Sequence, residues 1–488
     1  MLSIIKRFAL GSTLLTGLAL AACNDGTTTS SASPPSSPGL KISQLDSHTI
    51  GISTDGVPIV TSLVNTKLTS PLTVNITTSN SNILNLSKNT CIFTESVQDC
   101  AVLITGESFG SATVSVSADG YTTQTSDLLF VNYEHLYSFD SNPSGGKNPA
   151  AQLLAESNGI LYGTTQKGGN GYGTIFSFNS NSGVESTLFA FNENNGQNPQ
   201  EAGSLIEYDG LLYGTTSIGG TNSSGVIFSF NLNSNLESVH YSFNNSGGDA
   251  YSPNAGLTEF NGLLYGTTAK GGENDSGAVF SFDPSNDTES VVFSFDGTNG
   301  SSILAGLTVF NGKLYGLANQ GGTYGMGVVF SIESNNVEST IYEFGGESLD
   351  SASPIQDLAV YNNKLYGTTG YGGKNNLGTV FSIDPSNNTE SVMFSFDRID
   401  GNFPRGGLMV YGDLLYGTTT RGGRGDGVVF SINPSNNTES TIYNFRVSPY
   451  GYQPYATLTA YNGLLYGSTY YGSGTGSSGT LFTVLPTN

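Results

Sequence analysis

Leu263-Leu-Tyr-Gly-Thr-Thr268 runs through Ala269-Lys-Gly-Gly272 to a second apolar run, Gly277-Ala-Val-Phe-Ser-Phe282. Upstream, Gly256-Leu-Thr-Glu-Phe260 enters the first run through Asn261-Gly262. Downstream, Asp283-Pro-Ser-Asn286 leads to Glu289-Ser-Val-Val-Phe-Ser-Phe295. Asn-Gly between apolar runs favours a two-residue hairpin, because both residues tolerate positive φ. Pro after Asp presets φ for the second turn. β-Branched and aromatic residues fill the runs between the turns, as strands require. Four antiparallel strands in one short unit make a propeller blade.

The unit repeats. Leu-Tyr-Gly recurs with its tyrosine at 162, 213, 265, 315, 366, 416 and 466, at spacings of 51, 52, 50, 51, 50 and 50. Self-similarity at that period is the mark of a repeat architecture. Glu134-His-Leu-Tyr-Ser-Phe139 has the pattern of a fourth strand and precedes the first Leu-Tyr-Gly, whereas the last repeat stops at its third strand, Thr480-Leu-Phe-Thr-Val484. The phase predicts a seven-bladed β-propeller over 133–488, closed by its N-terminal strand so that no edge is left open at the join.

The motif Leu264-Tyr-Gly-Thr-Thr-Ala-Lys-Gly-Gly272 through Gly277-Ala-Val-Phe-Ser281 resembles the GloVer-type (Gloeo/Verruco) tandem repeats of anchored bacterial surface proteins. Its third-strand and turn segment is also similar to kelch repeats, without the kelch tryptophan, since the chain has no Trp. The resemblance implies a propeller and surface anchoring. It implies no defined activity.

Ahead of the repeats the pattern changes. Leu72-Thr-Val-Asn-Ile-Thr77 and Ala112-Thr-Val-Ser-Val-Ser117 alternate with period two, which predicts a half-buried antiparallel sandwich over 40–131. Gly110 to Tyr121 resembles the closing strands of bacterial immunoglobulin-like domains, which act as spacers or adhesive modules. Residues 24–39 are mostly Thr, Ser, Pro and Gly, and follow Cys23 as a flexible tether. Residues 1–22 read as an export signal, with Lys6 and Arg7 before a short apolar core from Phe8 to Ala19. Leu20-Ala-Ala-Cys23 resembles a bacterial lipobox, which implies a diacylglyceryl group on Cys23. Asn24 rather than Asp after it points to the outer membrane. Lipid is then the expected membrane attachment.

Composition narrows function. The formal charge of −22 becomes −24 once Lys6 and Arg7 leave, with 14 basic residues against 38 acidic. Such an anion repels phosphate backbones, so a nucleic-acid partner is not expected. Cys91 and Cys100 remain as a disulfide pair for an oxidising compartment. Two Cys without a nearby His do not make a zinc site, and neither a metal nor a cofactor is expected.

The blade turns separate one regular end, with Asn-Gly and Pro-Ser-Asn turns, from one variable end, where ligands are expected. After signal removal the arginines are Arg398, Arg405, Arg421, Arg424 and Arg446, all mapping to the variable end around the sixth blade, and Tyr450, Tyr452, Tyr455, Tyr470 and Tyr471 follow closely. Arg forks hold carboxylates bidentately and Tyr offers flat amphipathic surface, so the cluster predicts a patch for an anionic glycan or acidic protein segment. The bland alternative is arginine in exposed loops offsetting nearby Asp. Arg424-Gly-Asp426 spells an integrin-binding tripeptide but sits in Gly-rich loop filler. Glu185, Glu237, Glu289, Glu338, Glu390 and Glu439 recur once per blade, which argues for a turn or cap role and not for catalysis. Glu156, Glu207 and Glu259 share another position, read as the inner strand, where they are structural or line the central channel and hold a cation. The histidines are His48, His135 and His240, and sequence alone assembles no Ser-His-Asp arrangement from them. The leading reading is a monomeric, non-enzymatic envelope lipoprotein binding a glycan or protein. A propeller hydrolase or lyase and an envelope-assembly scaffold stand as rivals.

Overall fold

The computed structural model describes residues 39–487 except 44–48, 53–56, 65, 143, 200–203, 348–349, 424, 446–450 and 473–477. The signal, Cys23 and the tether therefore lie outside the described residues. Apart from a 3-10 turn at Phe139–Ser141, the described secondary structure is β. The architecture is propeller-like, with one antiparallel sheet per repeat.

Repeat 1 is typical. Gly146–Pro149 and Leu154–Ala155 both pair with Ile160–Gly168, which pairs with Thr174–Asn179 and then with Val184–Ala190. The second and third strands are buried along most of their length, whereas Val184–Ala190 is largely half-exposed or exposed. Burial on both faces follows from sheets packed side by side. It also explains why those strands read as continuous apolar runs rather than alternating ones.

The ladder register explains two motifs at once. Gly163 lies opposite Phe176, and a Cβ on it would sit 2.7 Å from the Phe176 ring. The same holds from Gly214 with Phe228 to Gly467 with Phe482. The glycine of Leu-Tyr-Gly is thus the floor on which the phenylalanine of Val-Phe-Ser lies. Each such Phe then meets, edge to face, the Phe that ends the fourth strand of the preceding repeat. Phe191–Phe228 and Phe243–Phe280 have centroids 5.1 Å apart. Phe139–Phe176 repeats this geometry at 5.2 Å and Phe445–Phe482 at 5.0 Å.

A second fastening crosses every junction. Asn148, Asn198, Ser252, Ser302, Ser353, Phe403 and Gln453 all have φ between 54° and 60°. In that conformation each backbone N–H donates to a carbonyl of the preceding repeat, as Phe403 does to Leu377 at 2.9 Å. Asn148 donates to Ser478 at 2.7 Å, so repeat 7 is joined to repeat 1 as the others are joined to one another. Thr459 adds a hydrogen bond of 2.6 Å to the Leu153 carbonyl, and Gln152 one of 3.1 Å to that of Leu458.

The strand completing repeat 7 is longer than expected. Leu129–Ser138 is one continuous strand. Its second half pairs antiparallel with Thr480–Val484, and its first half pairs with Gly110–Ala112 and, in parallel, with Thr49–Ile52. The N-terminal unit and the repeats therefore share a strand across the expected boundary at 131–133.

The N-terminal unit has two sheets around one core. Gly39–Ile42, Val57–Val64 and Asp99–Gly106 belong to the first, while Gln124–Thr125, Val114–Ser117, Leu72–Thr78 and Thr90–Phe93 form the second. Ile59, Val74, Ile76, Phe93, Val102, Ile104, Val114 and Val116 fill the space between them. The Cys91–Cys100 disulfide, with Cα atoms 6.2 Å apart, joins the two sheets and contributes about 2–3 kcal/mol by restricting the unfolded chain.

Candidate functional site

The variable end is built from the ends of the first and second strands, and cross-strand register decides which side chains meet there. Tyr452 pairs with Tyr471, Asn402 with Arg421, Ala352 with Tyr371, and Lys147 with Lys167. The Tyr452 and Tyr471 rings stack at 5.1 Å. Tyr471 meets Tyr470 edge to face at 4.9 Å, and Tyr470 stacks on Tyr455 at 4.7 Å. The Arg405 guanidinium lies 4.6 Å above the Tyr455 ring, and Arg421 lies 5.9 Å from that of Phe403. Arg405, Tyr452, Tyr455, Tyr470 and Tyr471 are thus one contiguous array, with Arg421 at the end of the second strand of repeat 6, Leu414–Arg421. Arg398 sits in the preceding connection, where its carbonyl accepts from the Gly423 N–H. Arg424, Arg446 and Tyr450 lie outside the described residues.

Four participants were missed. Phe403 stands where the other repeats place Asn, Ser or Gln, and φ of 58° on so bulky a residue is an outlier. Such strain persists where the surroundings over-determine it, often at functional surfaces. Tyr371 packs edge-on against Phe403 at 5.0 Å. Lys147 and Lys167 face each other across the ladder with no ion pair to a described carboxylate, and directly opposed like charges are unfavourable without an anion. The signal for these residues was the departure of single repeats from the shared pattern.

The glutamates sort differently. Glu207 and Glu259 accept from the N–H of Gly210 and Gly262 at 2.9 Å, so they cap the Asn-Gly or Asp-Gly turns. Among the described residues no group of acidic, His or Cys side chains could hold a metal. Deeper on the axis, Asp357 accepts from the Gly306 N–H at 2.5 Å beside a cavity of about 340 Å³, and burial pushes its carboxyl up to about 6. The fourth-strand glutamates occupy the seams between repeats. Burial there raises Glu237, Glu289, Glu390 and Glu439 to about 7 each.

One arrangement becomes visible only in three dimensions. His240 Nδ1 lies 2.7 Å from Asp287 Oδ1, and its Nε2 lies 2.8 Å from Ser229 Oγ. This has the connectivity of a Ser-His-Asp relay. His240 replaces the aliphatic residue that other repeats carry, as at Leu188, Val292, Ile341 and Ile442, and Asp287 replaces a turn Asn or Gly. Ser229, however, is 4% exposed, and it is a middle-strand residue paired with Tyr213 on one side and Ser238 on the other. Its backbone is held within the sheet on both sides, unlike a nucleophile presented at an open turn. The relay fastens repeat 2 to repeat 3. A fluorophosphonate probe is expected to leave Ser229 unmodified; labelling of wild type that disappears in His240→Leu would reverse this reading.

Fold and rim together define a class: an all-β tandem-repeat protein of propeller-like architecture with a cation–aromatic track at one end. The chain belongs to the Gloeobacter/Verrucomicrobia repeat family, whose pattern matches residues 113–280 and 252–482. No curated protein sequence matches it. Among solved structures, TolB from Acinetobacter baumannii is similar at 14% identity and a TM-score of 0.34, over 57% of this chain and 58% of that one. A puromycin hydrolase is similar at 12% and 0.45, over 67% of this chain and 50% of its own. A putative 6-phosphogluconolactonase from Bacteroides uniformis is similar at 14% and 0.43, over 64% of this chain and 88% of that one. The chain thus spans little more than half the length of the first of these and half of the second.

Proposed function

We propose that the protein is an envelope lipoprotein, anchored through Cys23, whose seven-bladed propeller binds a carboxylate-bearing glycan without chemically altering it. In this reading the 40–131 sandwich is an immunoglobulin-like spacer, and the strand it shares with the propeller makes the spacer stiff. Kelch-like repeats close into a ring through Leu129–Ser138. The observation that carries the binding role is the Arg405 guanidinium stacked on the Tyr455–Tyr470 column. A guanidinium held over an aromatic face is pre-organised, and its planar fork suits two-point recognition of a carboxylate. The adjoining rings supply flat surface for the apolar face of a sugar. A chain with 38 acidic residues that gathers Arg405 and Arg421 at one rim has a local field opposite to its net charge.

Calorimetric titration with a hyaluronan tetrasaccharide tests it. Arg405→Ala and Arg421→Ala are each expected to weaken binding about tenfold, since a charge-assisted hydrogen bond is worth about 1.5–3 kcal/mol. Wild-type binding is expected to fall as salt rises. Undiminished, salt-insensitive binding by both variants would refute the assignment.

A further inference from the structure

We infer that the ligand of this rim is an extended chain, and that the groove between repeats 4 and 5 seats one of its uncharged sugars; the inference rests on the rim reading above. The groove encloses about 570 Å³ between Tyr324 and Tyr371. The two rings are 52% and 47% exposed, far from the usual burial of tyrosine in this chain. Tyr324 packs against a glycine: a Cβ at Gly346 would stand 2.9 Å from its Cε2. The side chain is thereby supported on one side while about half of the residue stays open to solvent, as a stacking platform requires.

That glycine is itself held in place. Asp350 Oδ2 accepts from the N–H groups of Gly345 and Gly346 and from Tyr342 Oη, and Oδ1 accepts from the Ser351 N–H. With both oxygens committed, Asp350 is a support and has no acid–base role. Asn376 accepts the Gly372 N–H through Oδ1, which leaves its NH2 group to donate to a hydroxyl. Glu347 is exposed at the lip, and with Asp350 it disfavours a carboxylate here.

The groove is continuous with the rim. Tyr371 forms its wall and also packs on Phe403, whose ring carries Arg421. At the Tyr371 position repeats 2, 3 and 4 hold Ile218, Lys270 and Gln320, so the aromatic track begins at this groove and runs toward repeat 7. A cationic section joined to an acidic, aromatic one fits a polysaccharide in which acidic and uncharged sugars alternate.

The experiment compares hyaluronan tetra- and decasaccharides on the full chain by calorimetry. The longer fragment is expected to bind about tenfold more tightly, because its second contact is intramolecular. Tyr324→Ala should abolish that gain while leaving the tetrasaccharide affinity unchanged. Gly346→Val, which crowds the ring, should do the same, and Tyr324→Phe should retain the gain. Equal affinities for the two fragments, or a loss in Tyr324→Ala that is the same for both, would overturn the subsite. Absence of binding by either fragment would instead remove the rim reading, and this inference with it.

Discussion

Gly479→Ala is expected to lower the stability of the repeats by about 3 kcal/mol or more, a large part of what holds a typical domain together. Three terms act together. Gly479 has φ of 89°, a region that costs an L-residue about 1–3 kcal/mol. An added Cβ would stand 2.5 Å from the Thr469 carbonyl oxygen of its own sheet, which the ladder holds in place. It would also stand 2.5 Å from Pro149 Cδ, in the first repeat. No rotation relieves either contact, since one is backbone and the other a ring.

This glycine recurs ahead of every third strand. Gly378 has φ of 101°, with Pro404 Cδ and the Thr369 oxygen each 2.5 Å from its Cβ position. Gly378→Ala should therefore destabilise as much as Gly479→Ala. Gly412, at φ of 59° with nothing within 4 Å of a Cβ, isolates the backbone contribution, and Gly412→Ala should cost only about 1 kcal/mol. Denaturant unfolding of the three variants decides the matter. If Gly479→Ala costs no more than Gly412→Ala, the packing of each glycine against the next repeat does not support the structure as argued.

Those glycines mark how much the sequence revealed. Period, turn chemistry and the phase of the first and last strands were all legible, because each is a local pattern repeated seven times. That Gly163 exists to accommodate Phe176 was not, because the two are brought opposite each other only by ladder register. The proposed binding rim was half legible. Arginine is rare enough for its clustering to be visible, but Lys147 faces Lys167, and Tyr371 meets Phe403, only once the strands pair. His240 and Asp287 are separated by 47 residues and touch across a junction. Their visible trace was that each breaks the repeat pattern at its position. Nor did Leu129–Ser138 disclose its double membership, since a strand that pairs in two units reads like any other apolar run.

Stability is expected to be higher at pH 5 than at pH 8, the reverse of what a chain rich in surface carboxylates ordinarily does. Glu237, Glu289, Glu390 and Glu439 are raised from 4.5 to about 7, chiefly by burial in the seams. Neighbouring acids add to burial: Asp249 beside Glu289, Asp350 and Glu347 beside Glu390, Asp400 and Asp397 beside Glu439. Hydrogen bonds from Asn195 to Glu237 and from Ser351 to Glu390 offset part of it. A carboxyl raised in the folded chain binds more protons folded than unfolded, so its stabilisation is complete below 4.5 and is lost as pH climbs through 7. After discounting for the solvent these half-buried groups still meet, each contributes on the order of 1 kcal/mol. Two effects limit the trend at the acid end. His135 is lowered from 6.5 by burial, and its contribution is lost as pH falls through that lowered value. Asp283 and Asp384 are lowered from 3.8 by their turn hydrogen bonds, and protonating them below that value also destabilises. The maximum should therefore fall at about pH 4–6. Thermal unfolding across pH 4 to 9 measures it, and Glu289→Gln identifies the source: the variant should match wild type at pH 5 and exceed it at pH 8. A Tm that rises from pH 5 to pH 8, or a Glu289→Gln effect that is the same at both, would show that the seams hold their carboxylates charged at no cost.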